Sequence, residues 1–262
     1  DDVGMLVALS QPHFGHYDWP SPDAARTNGY AQHAASYVRV AQNHPSVIAY
    51  ATSHNSLGDG EMMNPERMDG VSRPRDQWSG NNARKAAQAE AIIRDLDPSR
   101  IVYHHSGGDF GDAYTCNFYI NFVPIQERSD WFEPWAARGV KPLFLCEFGM
   151  PYFLDWTMYR GWYKGERAWG SASVPFEFCL AEWNAQWLGD RAFQVGEMEK
   201  KNLRWEAPKF RAGQVWHHWD YPAKLYSPAF EGQQEVLSRY TADNWRAFRT
   251  WGVSAISPWE HE

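Results

Sequence analysis

The chain has 262 residues, a net charge of −7, 44% hydrophobic and 22% charged residues. That length buries a core without disulfides or metal, and the composition is that of a globule, not a disordered chain. No apolar run approaches the ~20 residues of a membrane helix, and the 25 Lys and Arg, mixed among 32 Asp and Glu, form no basic stripe for nucleic acid.

The first apolar run, Gly4 to Leu9, reads as a buried strand ending at Ser10-Gln11-Pro12-His13. Residues 22–42 have helical spacing at Tyr30, Ala34, Tyr37, Val38 and Ala41. Strand 47–51 follows, then a long polar loop over 52–80. Residues 82–96 form the clearest helix, which Asp97-Pro98 ends, because the residue before proline is pushed out of the α region. Strands are expected at 101–105 and 114–119, then a short helix over 129–138 stopped by Gly139. Strand 142–146 leads directly into Glu147. Helices are predicted over 173–190, 191–205 and 243–251, the last stopped by Gly252 before strand 253–257.

Apolar strands alternating with amphipathic helices imply parallel strands covered by helices. His13, His54, Asn55, His104, His105, Tyr119, Glu147 and Trp259 fall just after strand ends, where a (β/α)8 TIM barrel or a doubly wound sheet places its chemistry. No Gly-rich phosphate loop opens a helix, so the α/β fold expected is the barrel, with six strand candidates, two short of eight. The three cysteines are too few and scattered for a disulfide framework or a zinc site. Cys116 and Cys146 read as buried free thiols. The 15 Trp exceed what a core requires. Aromatic faces are flat, C–H-rich stacking surfaces of the kind carbohydrate sites use; the plainer alternative is a Trp-rich core.

Several runs carry a family resemblance. Asn43-His44-Pro45-Ser46-Val47-Ile48-Ala49-Tyr50 resembles the approach to the fourth barrel strand of glycoside hydrolase family 2 and its TIM-barrel relatives. Lys141 to Gly149 resembles the seventh strand, which ends in the nucleophilic glutamate. Asp97 to Tyr103 and Asn244 to Arg249 resemble the approaches to strands five and eight, and Gly4 to Val7 resembles strand three. The resemblance implies one glycosidase-like barrel domain over 1–262, incomplete (strands three to eight). The first two strands and any N-terminal β-sandwich domains are expected to lie outside this sequence. It also implies a secreted or periplasmic setting and a role in polysaccharide degradation.

The resemblance makes Glu147 the nucleophile of a retaining β-glycosidase. Such enzymes need a second carboxyl about 5–5.5 Å away to protonate the leaving oxygen. In the family an Asn-Glu pair supplies it at a fixed interval after His-Pro-Ser; here His54 and Asn55 stand at those positions. Neutral Asn55 cannot donate that proton. A carboxyl from the following loop (Asp59, Glu61), or Asp109 or Asp112, takes its place; or His54 is the acid; or the function is lost. Tyr119 matches a family position whose hydroxyl supports the nucleophile, with a packed core tyrosine as the alternative. Trp259 is a sugar platform or a barrel-bottom core residue. His54, His104 and His105 either bond sugar hydroxyls or are structural. Trp216, in the aromatic run 214–222, lines the cleft or belongs to a strand. Asp155, Trp156, Arg160 and Trp162 form a rim or a surface loop.

No cofactor or metal is expected; His13 and His16 lack the His-x-His spacing of metal-dependent barrels. The expected partner is a carbohydrate, not nucleic acid or membrane, with the oligomeric state open. The alternative function is a catalytically silent carbohydrate-binding barrel, and a weaker third is a His-dependent metallohydrolase.

Overall fold

A computed structural model describes residues 2–21, 23–58, 62, 64, 67–73, 77–118, 125–126, 132–149, 159–163, 166–169, 176–178, 180, 184–214, 216, 220–224 and 227–258. In chain order the elements are β1 (Val7–Ser10), α1 (Tyr30–Ala41), β2 (Val47–Ala51), α2 (Gln77–Leu96), β3 (Ile101–Tyr103), β4 (Tyr114–Phe118), α3 (Phe132–Arg138), β5 (Leu143–Phe148), β6 (Tyr159–Tyr163), β7 (Glu166–Trp169), α4 (Phe176–Phe178), α5 (Ala185–Leu188), α6 (Glu197–Arg211), α7 (Glu231–Trp251) and β8 (Ala255–Pro258). They form two compact units. The first takes residues 1–117, 138–146 and 254–256; the second takes 118–137, 147–253 and 257–262.

In the first unit β1, β2 and β3 are hydrogen-bonded in that order, and both pairs are parallel. Ser10 lies opposite Ala51, and Ala51 opposite Tyr103, so the three strands end level. A helix separates each strand from the next, as the sequence predicts. A second sheet runs in the order β4-β5-β8.

Local chemistry sets the helix boundaries. The predicted helix from residue 22 is a 3-10 turn, Ala24–Arg26, followed by Gly29 at φ 98°, and α1 starts only at Tyr30. Asn28, just before the N-cap Gly29, shapes the restart: its side chain accepts the Tyr30 N–H at 2.9 Å, an Asx turn that satisfies the first helical N–H. Tyr30, Ala34, Val38 and Ala41 form the buried stripe, whereas Tyr37 points outward. α2 starts five residues earlier than predicted and ends at Leu96, before Asp97-Pro98. Its buried Ala83, Ala86 and Ala89 pack with Phe14, Tyr30 and Ala34.

The Asp97-Pro98-Ser99-Arg100 run has a structural task. Asp97 accepts bonds from Tyr50 Oη (2.9 Å), Arg100 Nη1 (2.5 Å) and the Ser99 N–H (3.0 Å), while Arg100 Nε reaches the Val47 carbonyl at 2.6 Å. The start of β3 is thereby pinned to β2. Burial alone would raise the Asp97 pKa, but the bonds from Ser99, Arg100 and Tyr50 outweigh it and hold it at about 2.

β1 departs from expectation. It was expected to be buried, yet Met5 and Leu6 are each 67% exposed and Val7 37%. The reason is position, since among the described residues β1 is the edge of its sheet, with β2 as its neighbour.

In the second unit Phe176, Leu180, Trp187, Trp216, Tyr221, Phe230, Val236 and Tyr240 form one core. Phe248 of α7 packs edge-on against Phe118, Phe132 and Phe148, with centroids 5.0–5.8 Å apart. The predicted helices 173–190 and 191–205 are broken into α4, α5 and a 3-10 turn (Gly189–Phe193), and α6 runs on to Arg211. Gly189, at φ 55°, closes α5. α7 is 21 residues long, not the nine predicted, and ends at Gly252 (φ 74°) as expected. β6 and β7 pair antiparallel over part of the stretch read as a rim or loop.

Candidate active site

The level ends of β2 and β3, with the end of β4, bring His54, Asn55, His105 and Asn117 together in the first unit. Asn55 takes a left-handed backbone, φ 44°, a conformation in which Asn is enriched over other non-glycine residues. Its backbone N–H donates to His105 Nδ1 at 3.2 Å. Asn117 Nδ2 donates to Asn55 Oδ1 at 2.9 Å, which leaves the Asn55 NH2 facing His54 Nε2 at 3.1 Å. The His54 and His105 rings lie 4.6 Å apart. Ser56 closes the turn, its N–H and Oγ both donating to the His105 carbonyl at 2.8 Å.

Each contact fixes a protonation state. A ring nitrogen that accepts an N–H carries no proton, so both imidazoles fit as neutral rings. Burial, then the neighbouring His54, pushes the His105 pKa down to about 3. Burial, then His13, also lowers that of His54. A histidine held neutral is a weak proton donor near pH 7.

His104, next in sequence to His105, faces the other way. It is buried, with Nδ1 3.0 Å from Thr52 Oγ1 and Nε2 2.8 Å from Glu90 of α2. Both nitrogens are thus engaged between β2 and α2, which makes His104 a strut for the strand ends. Gly111 passes over its ring at φ +86°, where an added Cβ would lie 2.8 Å from His104 Cδ2.

Glu147 is the penultimate residue of β5 and only 3% exposed. It was read as following the strand and is in fact part of it. Burying a carboxylate beside Cys146 and Phe148 is costly unless it is used or bonded. Trp216, read as a possible cleft residue, is in the core of the second unit, where its indole N–H donates to Tyr221 Oη at 3.1 Å. Tyr221 in turn donates to the buried Glu206 at 2.6 Å.

Among the alternative acids, Asp112 is exposed and pairs with Arg94 at 3.0 Å. Asp109 is buried, and burial raises its pKa despite Lys141 Nζ 3.6 Å from Oδ1. It lines a cleft with Arg67, Arg73, Ser79 and Tyr114. Tyr119, Trp259, Asp59 and Glu61 lie outside the described residues, as do Asp155 and Trp156. Cys116 and Cys146 are buried free thiols, as expected. Among the described residues no helix is long and apolar enough to cross a membrane.

Asn117 escaped sequence reasoning, because an Asn inside an apolar strand run has no signature of its own. The signal was its place: with alternating side chains, the position before the strand's last residue shares a face with Thr115.

Comparison with curated proteins and with solved structures gave no match. The family profile described as glycosyl hydrolases family 2, TIM barrel domain, matches residues 4–156, more than half of the chain. That span holds the His44-Pro45-Ser46 run, the His54-Asn55 turn, Asn117 and Glu147. A parallel β/α array whose polar residues gather at its strand ends, and a profile match across it, together place this chain in the glycosyl hydrolase family 2 TIM barrel domain family.

Proposed function

We propose that the chain hydrolyses a β-glycosidic bond with retention, with Glu147 as nucleophile. The observation that carries this is a buried glutamate at the end of the strand that resembles the family's nucleophile strand. The Glu147 carboxylate attacks the anomeric carbon, and the C–O bond to the aglycone breaks with its electron pair leaving on oxygen. Water then attacks the glycosyl-enzyme, frees Glu147 and releases the sugar, its proton passing to solvent. Tyr119 supports the nucleophile and Trp259 is the sugar platform in this reading, both on the family resemblance.

Asn55 supplies no proton, and neutral His54 is poorly suited to do so. Leaving-group protonation therefore falls to Asp109, whose raised pKa suits a general acid, or to Asp59 or Glu61. A second reading, a silent carbohydrate-binding barrel, is favoured by one observation: the backbone N–H and both amide arms of Asn55 are already spent on protein partners.

Mass spectrometry after incubation with activated 2-fluoro β-glycosides separates the readings. The expected result is a covalent adduct on Glu147, and Glu147→Gln should lower turnover of dinitrophenyl glycosides at least about a thousandfold. Sugar binding without an adduct from any glycoside would establish the silent barrel.

A further inference from the structure

Asn117 is 91% buried, being 9% exposed, and its two amide arms are unequal. Nδ2 is fixed on Asn55 Oδ1 at 2.9 Å, whereas Oδ1 meets no donor among the described residues. A buried acceptor without a donor is costly, and native proteins seldom keep one unless a bound group completes it. We propose that the Asn117 amide oxygen accepts a hydrogen bond from a substrate hydroxyl and so determines which sugar the site selects. The proposal rests on the glycosidase reading above.

The orientation of the amide follows from its neighbours. Asn117 gives its NH2 to Asn55 Oδ1 and so keeps its oxygen for something else, and the Asn55 NH2 on the other arm faces His54 Nε2. The hydrogen-bond partners of Asn117 are uncharged: the Asn55 amide and the Met62 thioether, which takes the Asn117 N–H at 3.4 Å and the Ser106 hydroxyl at 2.9 Å. A single acceptor among uncharged groups suits a neutral hydroxyl better than an ammonium or a metal ion, either of which needs charge or several oxygens. Asn117 lies beside the Asn55 turn at the strand ends, where sugar hydroxyls would be read. Discrimination by a buried group that goes unpaired with the wrong ligand is steeper than by apolar contact.

The test uses the full chain and a set of dinitrophenyl β-glycosides, each with its singly deoxygenated analogues. Wild type should prefer the parent over one particular deoxy analogue by ~10- to 100-fold in kcat/KM. Asn117→Ala should erase that preference, lowering the parent to the level of the analogue while the analogue is turned over as before. Asn117→Val removes the amide oxygen but fills most of the space; it should erase the preference as well, and it serves if the alanine variant does not fold. Equal loss on the parent and every analogue in both variants would overturn the proposal and make Asn117 a prop for Asn55. If the wild type turns over no glycoside, the same deoxy set is used in binding calorimetry. A lost preference in Asn117→Ala then upholds the contact while the hydrolytic reading falls; absence of any sugar binding overturns both.

Discussion

His105 ties the candidate site to stability. Its folded pKa, about 3, lies below the ~6.5 of an unfolded histidine. Between those values the unfolded chain binds a proton that the folded chain refuses. Its contribution is whole above about pH 6.5 and falls as pH drops toward 3, by up to ~1.4 kcal/mol per pH unit. Denaturant melts at pH 4 to 8 should show that slope, and His105→Asn, which keeps an acceptor near Nδ1, should flatten it. At Asp109 the expectation is chemical. Asp109→Asn should lower turnover of alkyl glycosides by ~100-fold or more but that of dinitrophenyl glycosides far less, because only the former need a proton. Equal effects on both would remove Asp109 from the role. At this scale the sequence was partly legible. Glu147 and the His54-Asn55 turn stood out because strand ends can be read from apolar runs. The opposite facings of His104 and His105 did not, because alternation assigns sides only once the helix that covers one side, here α2 with Glu90, is in place.

Among the elements, one carboxylate adds to the backbone ladder between β2 and β3 by tying the turn before β3 to Tyr50 of β2. Asp97 serves Tyr50, Ser99 and Arg100 while 3% exposed. Removing one member of a buried charged set leaves the others uncompensated. Asp97→Asn should cost about 2–4 kcal/mol, read as a lower denaturation midpoint with an unchanged m-value. The loss should vanish at low pH, since the stabilisation is present above the unfolded pKa near 3.9 and disappears as pH falls through about 2. Gly111→Ala should also destabilise, by about 1–3 kcal/mol, because it combines a left-handed residue with a Cβ driven into the His104 ring. Strand positions and the stops at Leu96 and Gly252 were legible, for Pro and Gly act locally. The break before α1 and the fragmentation of 173–193 were not. Apolar spacing continues through Asn28-Gly29 and Gly189, and there an Asx turn and left-handed glycines override periodicity.

For the whole molecule, the two units are interleaved along the chain. The first draws on residues 1–117, 138–146 and 254–256, so no single cut in the chain separates it from the second. Ser254 joins it through its N–H to the Leu143 carbonyl (2.9 Å) and its Oγ to the Leu143 N–H (3.2 Å). A chain ending at residue 252 should lose hydrogen-exchange protection at the Leu143 amide while keeping it in β2. The family and the β/α order were legible at this scale, because motifs in sequence order survive without knowledge of contacts. The interleaving was not, since it depends on pairings distant in the chain.

That return of the chain has a consequence in time. Leu143 and Ser254 are 111 residues apart. At the ~5–20 residues per second of ribosomal synthesis, β5 leaves the ribosome roughly 5–20 s before its β8 neighbour exists. Throughout that interval one side of β5 is an unpaired edge in a nascent chain, open to wrong strands and to chaperones. Slowing translation within α7 should therefore lower the yield of soluble protein more than the same pause placed before β5 is made.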